Sequence, residues 1–359
     1  MHVIKSSFHL ISSPLVIIIN QSLQKGIFPD KLKIAKVIPV YKSEDPCLFV
    51  NYRPISLLSN FSKFFERVVY NRLIDFVQKY DILYNCQFGF RKNHSTALAC
   101  IHLINKIASA IDRHETTAGV FLDLSKAFDT IDHQILFGKL EHYGIRGLAL
   151  EWIKSYFSCR QQFVQFNSTC SSKQTIKCGV PQGSILGPLF FILYINDLPH
   201  ASQLTQPLLF ADDTSIFYSH SDPKRVQSVL NDELRNYDMW LKCNKLSVNI
   251  KKTNYVIFKP RQRIANHDFN VFFGLHLLKQ TNVTKFLGVY LDEHLTWKHH
   301  ISFLSKQIAK SVGIIFRSRF HLSSRTKLAL YYSLIYPYIT YCNCTWSSTY
   351  VSTLNRIFY

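Results

Sequence analysis

Phe210-Ala211-Asp212-Asp213-Thr214 sets two adjacent carboxylates between an apolar run, Pro207 to Phe210, and a β-rich run, Ser215 to Tyr218. That pattern predicts strand, tight turn, strand, with the acidic pair at the turn. Neighbouring side chains on a strand point to opposite faces, whereas at a turn they can converge. Convergent carboxylates with room for water suit a hard divalent cation such as Mg²⁺, although an isolated Asp-Asp is far more often an Asx-turn in a hairpin. A third acid, Asp123, interrupts the apolar run Gly119 to Leu124. An acid there is costly unless paired or metal-bound, so Asp123 is either a site residue or half of a buried salt bridge. Between the two acidic segments lies Gly179-Val180-Pro181-Gln182-Gly183. There Gly183 permits close backbone approach, and Gln182 offers both donor and acceptor. Three carboxylates from two adjacent strands could hold two divalent ions about 4 Å apart. That arrangement activates an attacking hydroxyl and stabilises both oxygens of an in-line phosphoryl displacement.

The rest of the chain is consistent with such chemistry on a polyanion. Lys and Arg number 42 against 23 Asp and Glu, a formal net charge of +19 over 359 residues, with no single polybasic block. A folded protein with that field attracts nucleic acid first, and charge by itself leaves a basic ribosomal-type binder or a membrane-surface protein open. A hydrophobic content of 47% excludes a disordered tail. The nine cysteines form no CxxC pair, and Cys342-Asn343-Cys344 has no partner at zinc-finger distance. They are expected as reduced thiols of an intracellular protein. No signal peptide is expected at the start. The apolar stretches 14–19 and 189–195 are too short to span a membrane, so insertion is not expected.

Period and punctuation place the supporting elements. A short helix is predicted over 14–30, closed by Gly26, then a strand over 35–42 and a second extended run over 51–58. Lys42 and Arg53 fall on opposing limbs of that hairpin, where two cations could close over a triphosphate or serve as ordinary surface charges. Ser59 is expected to cap a helix with Phe61, Phe65, Val68, Leu73 and Phe76 on one face. Gln87-Phe88-Gly89-Phe90-Arg91 reads as a loop in which Phe90 and Arg91 clamp a nucleic-acid strand, or the Phe pair seals a helix start. Thr96 is expected to cap the next helix, with Leu98, Ile101, Ile104, Ile107 and Ile111 inward. The strand ending at Asp123 is expected to become helical. Asp129 and Asp132 are read as helix-start and capping residues for 132–143, and further helices are predicted at 147–157 and from Pro188. Strand candidates at 161–166 and 174–178 lie between them. Lys259 to Gln280 shows little periodicity, His300 to Arg317 is a basic amphipathic helix, and Arg325 to Tyr336 begins another. No internal repeat is visible, and the chain reads as one continuous core.

In their order, five blocks resemble the reverse transcriptase domain of non-LTR (LINE-type) retrotransposons: Asn51-Tyr52-Arg53-Pro54-Ile55-Ser56, Gln87 to Arg91, Phe121-Leu122-Asp123-Leu124-Ser125-Lys126-Ala127-Phe128-Asp129, Gly179 to Ser184, and Phe210 to Thr214. The resemblance covers nearly the whole chain. It implies an α+β right-hand polymerase with fingers, a palm made of an antiparallel sheet backed by helices, and a partial helical thumb. The implied boundaries are an N-terminal extension over 1–34, fingers over 35–118, and palm over 119–291 with a fingers-like insertion around 133–178. A truncated thumb would follow over 292–359. Asp123 and Asp212 would bind two Mg²⁺ ions, with Mn²⁺ as a substitute, Asp213 would support them, and the Leu124 carbonyl would add a backbone oxygen. Phe128 matches the aromatic gate against a ribose 2′-OH, Gln182 a side chain near the incoming nucleotide and template, and Lys42 and Arg53 the residues that hold the triphosphate. Asn249 to Thr253 matches the block whose lysine approaches the triphosphate, carried here to Lys252 with Lys251 beside it. Phe286-Leu287-Gly288 matches the primer-grip hairpin, a segment that could also be a simple palm-to-thumb hairpin.

The implied activity is RNA-directed DNA synthesis, extending a primer 3′-OH on an RNA template with dNTPs. The implied setting is a ribonucleoprotein in cytoplasm that acts in the nucleus, with no membrane role and an oligomeric state the sequence leaves open. Family polyproteins also carry an endonuclease and often a cysteine-rich tail, so the sequence is expected to be a fragment, either a degraded element copy or a partial gene model. The competing expectations are a catalytically silent RNA-binding relic and an intron-maturase-like protein. The intact carboxylates weigh against long decay.

Overall fold

The computed structural model describes residues 8–42, 45–260 and 268–358. The first seven residues of the expected extension, residues 43–44, the middle of the expected connection at 261–267 and Tyr359 lie outside them. The major helices are α1 (Phe8–Lys25), α2 (Asn60–Lys79), α3 (Thr96–Asp112), α4 (His133–His142), α5 (Leu148–Phe157), α6 (Leu186–Ile195), α7 (Pro223–Cys243), α8 (Lys298–Arg317), α9 (Ser324–Leu334) and α10 (Val351–Phe358). The major strands are β1 (Ile34–Tyr41), β2 (Tyr52–Leu57), β3 (Thr116–Asp123), β4 (Gln161–Phe166), β5 (Gln206–Phe210), β6 (Asp213–His220), β7 (Asn254–Phe258), β8 (Val283–Phe286) and β9 (Val289–Asp292). The class is α+β, as expected. The chain divides into two compact units, each assembled from separated segments.

The first unit takes the chain up to Asn85, Ser125–Leu198 and Trp240–Ser247. In its sheet β1 pairs antiparallel with β2 and parallel with β4. Its core gathers around Phe28, which meets Phe65, Trp152 and Tyr156 edge-on at centroid distances of 5.9, 5.3 and 5.1 Å. The α6 sequence LGPLFFILYI has no polar face and is buried along its length, the expected fate of a helix that is apolar all round. Arg160 is buried with its guanidinium 4.1 Å above the Tyr156 ring, a cation–π contact in place of solvent.

The second unit takes Cys86–Leu124, Pro199–Met239 and the chain from Val248 onward. Its sheet runs from the two-residue strand Lys279–Gln280 through β7, β3 and β6 to β5 at the far edge, all pairs antiparallel except the first. Central β3, with strand neighbours on both sides, is buried from Thr116 to Leu122 and apolar from Ala118 to Leu122. Helix α3 lies against this sheet through Ala99, Cys100, Leu103, Ile107 and Ala110. The expected stripe is therefore rotated. Ile107 is shared, Ile104 and Ile111 are only partly buried, and Leu98 is exposed. Ser95, not Thr96, caps the helix, its hydroxyl accepting from Leu98 N at 3.2 Å. On α2 the capping Ser59 is as expected, but Phe61 is exposed, and Ser62, Phe65, Glu66, Val69, Leu73 and Val77 form the buried face. No helix among the described residues is long and apolar enough to cross a membrane.

His300, on α8, is 1% exposed, and burial pushes its imidazole from 6.5 down to about 4. A folded value below the unfolded one contributes stability that is present above pH 6.5 and lost as pH falls toward 4. The gap corresponds to about 3 kcal/mol. Denaturant melts across that window should therefore show stability falling with acid, and His300→Leu should flatten the fall.

Candidate active site

The register of β3 against β6 sets Asp123 directly opposite Asp213. Directly opposed residues of an antiparallel pair share a face, with Cβ atoms about 5 Å apart. Asp212 precedes Asp213 in the hairpin whose flanking pair is Phe210 and Asp213, leaving Ala211 and Asp212 as a two-residue loop. Ala211 takes φ +55, the left-handed region a non-glycine residue enters at a cost. The second unit alone thus gathers all three acids at one end of its sheet. Asp213 is exposed by area yet closely surrounded by protein atoms. Partial desolvation first, then the charges of Asp212 and Asp123, raise its carboxyl to about 6.

The loop is held by a segment read above as a nucleic-acid clamp. The Gln87 side chain is buried, and its Oε1 accepts from Gly89 N at 2.8 Å and from Ala211 N at 3.1 Å. Backbone bonds Phe88 N to Leu209 O and Leu209 N to Cys86 O, 2.8 and 2.9 Å, lay the segment along β5. A Cβ on Gly89 would stand 2.3 Å from Ala211 N, so only glycine fits. Phe88 joins the core while Phe90 stays exposed at φ +55, and Arg91 Nη1 donates to the Gln87 carbonyl at 3.2 Å. Gln87 and Gly89 were missed as positioning residues; no local pattern marks a buried amide.

At the other side of β3, Asn249 N donates to Asp123 O at 2.7 Å, and Asp123 N donates to Thr253 Oγ1 at 3.3 Å. The turn these bonds close carries Lys251 and Lys252, both exposed. Leu124 is bridged to Val248 beside it. Phe286 is buried against Phe121, so its ring belongs to the core and not to a nucleic-acid surface. The adjoining Leu287 and Gly288, with φ of +44 and +86, make a two-residue turn between β8 and β9, and Tyr341 donates its hydroxyl to Leu287 O at 2.7 Å.

The remaining candidates belong to the first unit. Lys42 N donates to Asn51 O at 2.9 Å, continuing the ladder in which Val40 opposes Arg53, so Lys42 and Arg53 share one face of the hairpin. The chain does not turn helical after Asp123. Lys126 takes φ +49 and breaks the helical path. Bonds from Val180 N to Phe128 O and Gly179 N to Ile131 O, both 2.8 Å, hold 128–131 against the glycine loop. A Cβ on Gly179 would meet Asp129 O at 2.6 Å and one on Gly183 would meet Ser56 O at 2.7 Å. Gln182 Nε2 donates to Asp129 Oδ1 at 2.7 Å, so Asp129 orients Gln182 and only Asp132 caps α4. Phe128 stacks on buried Phe191 at 4.6 Å.

The donor chemistry suits a hard divalent cation, three carboxylates and no soft ligand. Among the described residues no set of three or more His, Cys, Asp and Glu stands in metal-holding geometry, so the acids are neighbours without being closed around a point. Desolvation first, and the neighbouring charges of Asp212 and Asp123 after it, disfavour the ionised form of Asp213 at this end of the sheet.

Residues 42–291 match the family described as reverse transcriptase (RNA-dependent DNA polymerase). The chain is 31% identical over 363 residues to a probable RNA-directed DNA polymerase from transposon BS of Drosophila melanogaster, covering 96% of this chain and 39% of that protein. It is 29% identical to the RNA-directed DNA polymerase from mobile element jockey of the same species, covering 96% and 38%. The chain therefore spans under two-fifths of these relatives' lengths. Among solved structures, apo telomerase from Candida tropicalis truncated from its C-terminal domain superposes with a TM-score of 0.48 at 12% identity, covering 74% of this chain and 54% of that one.

Two outcomes follow for the turn and its acids. Gln87→Leu leaves the Gly89 and Ala211 amides buried without an acceptor, at about 2 kcal/mol, and hydrogen exchange at Ala211 should accelerate. Because Asp213 must lose its proton before it can serve a cation, Mn²⁺ affinity measured by electron paramagnetic resonance should climb as pH rises through about 6. Asp213→Asn should remove that rise.

Proposed function

Because this chain belongs to the reverse transcriptase (RNA-dependent DNA polymerase) family, which implies divalent-metal dependence in general terms, we propose that it is the polymerase core of a LINE-type retroelement. It would extend a primer 3′-OH with dNTPs on an RNA template. The observation that carries this is the opposition of Asp123 and Asp213 across β3 and β6 with Asp212 in the adjoining loop. Asp123 and Asp212 would hold two Mg²⁺ with the Leu124 carbonyl, and Asp213 would support them. Bound there, the ions would supply Lewis-acid activation of the hydroxyl and neutralise developing phosphoryl charge.

The protein's own groups divide the remaining work. The primer hydroxyl gives its proton to water as its 3′-oxygen bonds to the α-phosphorus and the bond to pyrophosphate breaks, and Lys252, on the turn closed over Asp123, gives a proton to the leaving group. Lys42 and Arg53, sharing one hairpin face, hold the triphosphate. Phe128, its ring backed by Phe191, excludes a ribose 2′-OH, and Gln182, oriented by Asp129, lies toward nucleotide and template. The exposed Phe90 and the Leu287-Gly288 turn contact the nucleic-acid strands. In this scheme 35–118 are fingers, 119–291 palm with an insertion around 133–178, and 292–359 thumb. The template RNA, DNA primer and a nuclear and cytoplasmic ribonucleoprotein setting belong to the same proposal. A silent RNA-binding relic and an intron-maturase-like protein are less favoured, since the relatives reported above are transposon polymerases.

Primer extension on an oligonucleotide-primed RNA template tests the proposal. Asp212→Asn should remove Mg²⁺-dependent dNTP incorporation with folding intact, and unchanged incorporation sinks the site assignment. Absence of product from a folded wild-type protein that binds the primed template favours the relic. Phe128→Val should raise ribonucleotide use relative to dNTP by about tenfold to a hundredfold, read by incorporation with each nucleotide alone.

A further inference from the structure

The same face of β3 that ends at Asp123 begins, six residues earlier, at Thr117. At about 3.3 Å per residue the two ends lie about 20 Å apart. Around Thr117 opens a cleft of ≈ 520 Å³ formed within the second unit alone, bounded by α3, the start of β3 and the end of β6. Its volume falls within the roughly 300–1,000 Å³ of small-ligand sites. Nothing in the polymerisation chemistry uses it.

Four features of the cleft point to one kind of ligand. First, α3 packs its apolar stripe on the sheet and turns a second stripe, His102, Asn105, Lys106, Ser109 and Arg113, into the cleft at helical spacing. Second, Lys106 is the cation of that stripe with no salt bridge among the described residues, whereas Arg113 is held in a two-pronged pair with Glu115, at 3.2 and 2.9 Å. Third, Thr117 Oγ1 and Ser219 Oγ lie 2.8 Å apart across the β3–β6 pair. One hydroxyl donates to the other, so the acceptor's own hydrogen remains for a ligand. Fourth, β5 stops pairing at Gln206 opposite Phe217 while β6 continues to His220, leaving the outer backbone edge of Tyr218–His220 without a strand partner beside the cleft. His102 and Lys106 are both exposed by area; partial desolvation lowers Lys106 from its ordinary range, and desolvation with the Lys106 charge does the same to His102.

We infer that this cleft binds a phosphate-bearing ligand of nucleotide size. Lys106 is the point charge on the phosphate, the Thr117–Ser219 pair offers its one remaining hydroxyl hydrogen beneath it, and the amides of Asn105 and Gln206 pair with polar edges of sugar or base. The site is separate from the three carboxylates and needs no metal. The phosphate arrives either on a free nucleotide or within a single-stranded RNA segment.

Photo-crosslinking of the whole chain in excess EDTA keeps divalent-dependent binding at the acids silent. The probes are 8-azido-ATP and a short single-stranded RNA carrying 4-thiouridine, with labelled peptides identified by mass spectrometry. Labelling of peptides within 102–117 or 204–219 by either probe is expected. Lys106→Glu should lower it about tenfold, with Lys106→Gln intermediate and both melting like wild type. Labelling by the RNA assigns the cleft to a strand, and labelling by 8-azido-ATP alone assigns it to a free nucleotide. Labels elsewhere with none in these peptides, or labelling that both variants leave unchanged, overturn the proposal. Loss of polymerase activity in Asp212→Asn bears on the carboxylates and leaves this test standing.

Discussion

The pairing of β3 with β6 is the constraint on which the second unit depends. Eight consecutive residue pairs, from Thr116 opposite His220 to Asp123 opposite Asp213, fix the register. A slip of one residue would turn every side chain of the strand to the other face, taking Phe121 out of the core it shares with Phe217 and Asp123 off the face that Asp213 occupies. Apolar packing supplies the restoring force. Phe121 meets Phe217 edge-on at 5.6 Å on the face that also carries Asp123, and Val256 and Phe258 of β7 close the other flank. The charged end of the sheet is therefore held in place by its uncharged middle.

Like charges at that end resist being brought together, and the loop between β5 and β6 adds a left-handed alanine to the strain. The Gln87 amide answers both, since one oxygen ties Gly89 and Ala211 together and Gly89 has no Cβ to keep the backbones apart. In the first unit the same device recurs with different residues. Gly179 and Gly183 let a loop lie against Asp129 and Ser56, and the loop then delivers one oriented amide, Gln182.

Much of this was legible in the sequence, and the failures share a cause. Alternation over 35–42, the apolar run 207–210 and β-rich run 215–218, the capping Ser59 and Asp132, and Gly26 and Gly144 at helix ends are local signals, and strands, caps and helix ends appear there. The faces of α2 and α3 were misplaced because large apolar residues outweigh small ones in a periodicity count. On α3 the small residues Ala99, Cys100 and Ala110 are among those that end up buried. The expected helix after Asp123 fails for a non-local reason, since backbone bonds from Gly179 and Val180 hold a turn that Ser125-Lys126-Ala127-Phe128 would not choose alone. The sequence pattern makes Asp129 a helix-start residue and leaves Gln87 without a role of its own in a loop, because their partners, Gln182 and Ala211, lie 53 and 124 residues away.

That Asp123, Asp212 and Asp213 all fold within one unit has a thermodynamic consequence. A ligand stabilises the folded state by an amount set by free concentration and affinity, and it acts most directly on local openings of the segments that hold its site. A cation bound by the three acids would raise the opening free energy of the segments 86–124, 199–239 and 248 onward, while residues such as Phe28 and Trp152 would report no direct gain. Ion occupancy would then be written into the molecule as an asymmetry of local stability between its two halves.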